Sequence, residues 1–164
     1  MVLQGLWPAL EHTPFGLAVR QNDLLFPWIE SVHVLAIVLV VGTVFIVDLR
    51  LLGVASRGRP VTQLAREVLP YTWAAYGLAA CTGFLLFSSS AVSYVSDLPF
   101  QLKMVTMAMA GANMLVFHFV SYRSVARWDR SVRPPLGART AAGISIACWI
   151  AIVIFGRWVG FSLN

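Results

Sequence analysis

The chain predicts an all-α integral membrane protein, a four-helix bundle preceded by an amphipathic interfacial helix. Of its 164 residues 59% are hydrophobic, against about 45–50% in soluble domains, and the mean hydropathy is +0.77. Four apolar runs, near 31–52, 68–90, 99–121 and 138–161, each suffice to cross roughly 30 Å of hydrocarbon at about 1.5 Å per residue. The basic residues gather in alternate connections between those runs, as they do in multi-pass membrane proteins.

Residues 1–22 form the interfacial segment. Leu3, Leu6, Trp7 and Leu10 recur at helical spacing, which suits a helix lying in the membrane surface. A basic start, an unbroken apolar core and a small-residue cleavage site are missing from the first 30 residues, so no signal peptide is expected. Thr13 before Pro14 predicts a helix restart, the hydroxyl as cap and the proline in the first turn. Asn22-Asp23 breaks that helix and caps the next, whose opening turn holds Pro27.

The bundle occupies 23–164. Leu52-Gly53 ends the first span, and Gly58-Arg59-Pro60 reads as a turn. Thr62 is the expected cap of the second helix, in which Pro70 predicts a kink. Tyr71, Trp73 and Tyr76 suit the interface, where aromatic rings are favoured. Ala75, Ala79 and Gly83, then Ala138 and Ala142, then Gly156 and Gly160, put small residues at four-residue spacing and let backbones approach. Pro134-Pro135 separates the third connection from the last span. There is no internal repeat.

The net charge is +5. Arg50, Arg57, Arg59 and Arg66 flank the first connection, and Arg123, Arg127, Arg130, Arg133 and Arg139 flank the third. The second, Ser88 to Pro99, carries only Asp97. This pattern places the Arg-rich connections in the cytoplasm and both termini in the periplasm of a bacterial inner membrane. Basicity is then topology, not nucleic-acid binding. Cys81 and Cys148 fall mid-span without CxxC spacing, which supports neither zinc nor covalent haem. Nucleophile-elbow, phosphate-loop and HExxH motifs are absent from the sequence, so soluble-enzyme templates fail.

Ionisable residues in a span are expensive and by default functional. Glu30, His33 and Lys103 fall at the outer boundary, joined by Arg157 from the outgoing last span. Asp48, Arg50 and His118 fall at the inner boundary. Glu30 and Asp48, 18 residues apart, share a helix face at about 100° per residue, and His33 lies about 60° from it. The outer tier supplies an imidazole that suits haem iron and, in Lys103 and Arg157, cations that suit propionates. The inner tier pairs His118 with the Asp48 carboxylate, as a second site or a proton relay. His33 and His118, roughly 15–20 Å apart along parallel helices at 1.5 Å per residue, do not share one iron. The expectation is a bundle that holds b-type haem for electron transfer, with His33 and His118 as metal ligands. Two alternatives stand beside it. One is a non-catalytic subunit or transporter-like module, a homo-oligomer or part of a larger membrane complex. The other is a copper-handling protein using Met107, Met114 and a histidine. Capping, snorkelling and simple packing are the structural readings of the same residues.

Glu30-Ser-Val-His33 through Gly42 to Asp48-Leu-Arg50-Leu-Leu-Gly53, with Phe100-Gln-Leu-Lys103 and Val116-Phe-His118, resembles an uncharacterised family of small bacterial inner-membrane proteins. The likeness spans nearly the whole chain, implies the bundle fold and implies no activity. His33, Gly42 and a basic residue closing the helix are also similar to the first core helix of HemJ-type protoporphyrinogen oxidases. Those, and CopD-like copper-resistance domains, are helical bundles with membrane-embedded histidines. That likeness implies His33 as haem ligand and Lys103 as its cationic partner. It departs where the HemJ-type helix has Trp-Phe-Ala-Gly and this chain has Leu-Val-Val-Gly42.

Overall fold

In the computed structural model, which describes residues 2–163 and the side chains of 5–163, the chain is all-helical, with no strand among the described residues. Two short helices, α1 (Val2–Glu11) and α2 (Pro14–Gln21), lead into α3 (Leu25–Leu51) and α4 (Val61–Ser89). A short α5 (Ala91–Ser96) precedes α6 (Leu98–Val116), which runs on through a π-turn (Phe117–Ser121) and a 3-10 turn (Tyr122–Arg127). The last helix is α7 (Leu136–Ser162).

Local signals set several of these ends. The Thr13 hydroxyl accepts from the Gly16 N–H at 3.2 Å, with Pro14 in the first turn of α2. The Asn22 carboxamide oxygen accepts from Leu24 and Leu25 N–H at 3.0 and 3.2 Å, opening α3. The second connection contains α5, and the Asp97 carboxylate caps α6 through the Phe100 N–H at 3.1 Å. Thr62 does not cap α4. Its N–H donates to Asp129 Oδ1 and its hydroxyl to Asp129 Oδ2, both at 2.8 Å. A carboxylate 67 residues along the chain therefore serves the α4 N-terminus, where negative charge also complements the helix dipole. The α4 helix continues through Pro70.

Among the described residues, three helices are long and apolar enough to cross a membrane: Leu25–Leu51, Leu98–Arg127 and Leu136–Ser162. The α4 helix, at 29 residues, matches them in length but not in apolar content. The sequence expectation of four spans thus meets four long helices, of which three qualify by composition.

The long helices pack as two hairpins, α3 with α4 and α6 with α7, joined chiefly along α3 and α7. Both Arg-rich connections lie at one end, here the basic end. A core of Leu51, Val61, Ala138 and Ala142, flanked by Phe117 and Trp128, fills it. The small residues at 138 and 142 are completely covered, as close helix approach requires.

At the far end α1 packs on α5 and α2 on α4. Trp7 meets Phe87 edge-on at 5.8 Å, and Phe87 stacks on Phe100 at 5.5 Å. A Cβ at Gly16 would stand 2.7 Å from the Ser88 carbonyl oxygen, so glycine is what lets α2 dock there. The N-terminal segment forms a roof on the bundle. Leu3, the first of its expected apolar positions, lies outside the described side chains.

Candidate functional site: a cleft between two helical hairpins

Arg50 is 0% exposed, and its guanidinium is spent on backbone. Nε donates to the Arg59 carbonyl at 2.8 Å, and the terminal nitrogens donate to Asp129 and Ser131 carbonyls at 3.2 Å. A planar fork suits this divergent set of acceptors. Arg50 thus ties the first and third connections together and is structural.

His33 turns into the α3–α4 seam. Its Nδ1 lies 3.0 Å from the Thr82 hydroxyl, and a Cβ at Gly83 would stand 2.8 Å from its Cε1. Only a glycine opposite leaves space for this ring. Lys103 turns inward from α6, laying its stem and ammonium on Gly156 of α7, with Nζ 3.6 Å from where a Cβ would be. The ammonium is within electrostatic reach of His33. His33, Thr82, Gly83, Lys103 and Gly156 thus draw on all four long helices.

The rest of the expected outer tier is arranged differently. Arg157 is exposed and lies over the Phe161 ring of its own helix at 4.6 Å, although it adjoins the Gly156 on which Lys103 rests. A cation next to an aromatic one turn on has a favourable local partner, and depth along a helix did not determine its direction. Glu30 is exposed beside the roof. Burial pushes the Tyr94 hydroxyl above its ordinary pKa, and the Glu30 and Asp97 carboxylates push it the same way.

The inner tier contains a cleft of about 390 Å³. Its floor is α3 from Val40 to Leu51 and α7 from Ala141 to Ile152, and its walls are α4 and the continued α6. Because α4 and α6 share no extensive seam, the cleft has its mouth between them. Trp73 and Tyr76 line one wall, Phe117 and Tyr122 the other, with Trp149 below.

Two ionisable residues from the expected inner tier border this cleft. Asp48 is 6% exposed, and its Oδ2 has no hydrogen-bond partner among the described residues. The Ser145 hydroxyl of α7 supports its carboxyl group. His118, in the π-turn, is exposed and stacks on Tyr122 at 5.4 Å and 16°. No hydrogen bond joins it to Asp48, so the structure brings the two to one cleft without forming a relay. Met107 and Met114 also line it, whereas Met104 and Met109 face outward. No group of three His, Cys, Asp or Glu stands together among the described residues.

The sequence reading placed Asp48 and His118 at one depth but not in one cavity, because the cavity is made by the separation of α4 from α6. The π-turn that carries His118 had no signal in residue spacing. Asp129 was missed as well, although a carboxylate in the Arg-Trp-Asp-Arg stretch facing the start of α4 is a natural cap.

The sequence model of a family of unknown function, DUF6644, matches residues 22–162. No curated protein and no solved structure matches the chain.

Proposed function

The chain belongs to this family of unknown function, and from that premise we propose a membrane-embedded binding protein that admits an apolar ligand sideways from the bilayer, between α4 and α6. In this reading α4 is a fourth span. The Arg-rich end faces the cytoplasm and the termini face the periplasm of a bacterial inner membrane, on the positive-inside pattern. The observation that carries the proposal is the cleft itself. Pockets of roughly 300–1,000 Å³ with apolar and aromatic walls and few polar groups are the usual form of a small-molecule site, and this one has about 390 Å³.

Saturable binding tests it. Purified protein in nanodiscs should bind 1-pyrenylmethanol above the level of empty discs. Gly111 lines the cleft and a Cβ there meets nothing within 4 Å, so Gly111→Trp should fill the space and abolish binding without disturbing the fold. Binding that Gly111→Trp leaves intact would refute the site.

The second reading is b-type haem serving electron transfer, and His118 favours it. The outer tier does not fit the group: the His33 ring is packed on Gly83, Arg157 lies on Phe161, and none of His33, Lys103 and Arg157 borders the cleft. His118 does border it, so His118 would hold the iron and the aromatic walls the macrocycle. When bound, haem would supply one-electron chemistry. A Soret band in haem-supplemented protein that survives His33→Ala and disappears in His118→Ala is the expected result for this reading; no band at all removes it.

A further inference from the structure

Asp48 is the one carboxylate among the residues lining the cleft, and it has no countercharge there. The nearest arginine in sequence, Arg50, is committed to three backbone carbonyls of the basic end. No ion pair to Asp48 occurs among the described residues. An isolated buried carboxylate is costly, by several kcal/mol per ion even after relaxation. A permanent cation set beside the open oxygen is the complement that answers this charge.

The surroundings say what kind of cation. The walls are apolar and aromatic, from Trp73, Tyr76, Phe117, Tyr122 and Trp149, so a hydrated metal ion would lose its water for few replacements. Ring faces attract organic cations, most strongly when water is excluded. His118, the other ionisable group beside Asp48 apart from the two tyrosines, is stacked on Tyr122 at the exposed edge.

We propose that the cleft binds a lipophilic organic monocation, such as an aryl- or alkyl-substituted quaternary ammonium, with Asp48 as its countercharge. This rests on the cleft being a ligand site and adds the chemical class of the ligand. The cation enters from the bilayer, lays its apolar substituents against the aromatic walls, and sets its charge toward Asp48 Oδ2.

Two probes of one shape separate the two claims. The full chain in zwitterionic nanodiscs is titrated with 1-pyrenylmethyl-trimethylammonium and with neutral 1-pyrenylmethanol, with empty discs subtracted. The cation should bind about tenfold tighter or better, as one added charge contact of roughly 1.4 kcal/mol gives. Asp48→Asn should bring the ratio to about one, and Asp48→Glu should retain the preference. The wild-type ratio decides even if Asp48→Asn does not fold. Equal binding of both probes overturns the cation assignment and leaves the ligand site standing, whereas binding of neither removes both. A cation preference that persists in folded Asp48→Asn also overturns the assignment to Asp48.

Discussion

Arg50 and Asp129 hold the basic end from opposite sides of one chain segment. The Arg50 guanidinium donates to the Asp129 carbonyl at 3.2 Å, while the Asp129 carboxylate receives the Thr62 N–H and the Thr62 hydroxyl at the start of α4, both at 2.8 Å. A single loop residue is thus fixed to the end of α3 by its backbone and to the start of α4 by its side chain.

Removing the guanidinium takes the side-chain donor from three part-buried carbonyls, those of Arg59, Asp129 and Ser131. Arg50→Leu should lower the unfolding free energy by about 2–4 kcal/mol, and Arg50→Lys should recover little of it, because an ammonium cannot reproduce the fork. Thermal unfolding in a mild detergent checks this. Wild-type stability in both variants would contradict the clamp.

The His33–Gly83 contact is testable by a double-mutant cycle. Gly83→Ala puts a methyl 2.8 Å from the imidazole Cε1, and overpacking of this kind costs about 1–3 kcal/mol. His33→Ala in the same chain should relieve it, giving a coupling of about 1 kcal/mol, where independent sites would simply add.

A modest pH dependence should arise at the start of α4. Gln63 donates to the Glu67 carboxylate at 3.0 Å and Arg59 at 2.6 Å. The Gln63 hydrogen bond, then Arg59, hold the Glu67 pKa below its ordinary 4.5. A depressed folded value contributes stability above the unfolded value and loses it as pH falls through the folded one. Both side chains are exposed, so the effect is small and screened by salt. Carbon-13 NMR of the Glu67 carboxyl group should show titration below 4.5, moving upward in Arg59→Gln. Titration unchanged by that substitution would deny the pair.

Much of this architecture was legible in the sequence. Thr13-Pro14 and Asn22 announced their caps because those signals are local, and the inward turn of His33 follows from the cost of an imidazole facing lipid. The fate of Arg157 was not legible, since it depended on Phe161 one turn away offering a nearer partner. Helix pairing was not legible either. The α3 helix is apolar around most of its circumference, so periodicity marks no face for it. The cleft follows from the pairing, and with it the shared environment of Asp48 and His118. The role of Asp129 required knowing which loops meet.

The partners of Arg50 are main-chain oxygens at 59, 129 and 131, and any amino acid brings such an oxygen. Side chains at those three positions are thus free to vary as far as Arg50 is concerned, while the number of residues between them and the helices is not. The two segments at the basic end should therefore resist insertion or deletion more than substitution at 59 and 131, whereas position 129 is held by its carboxylate as well.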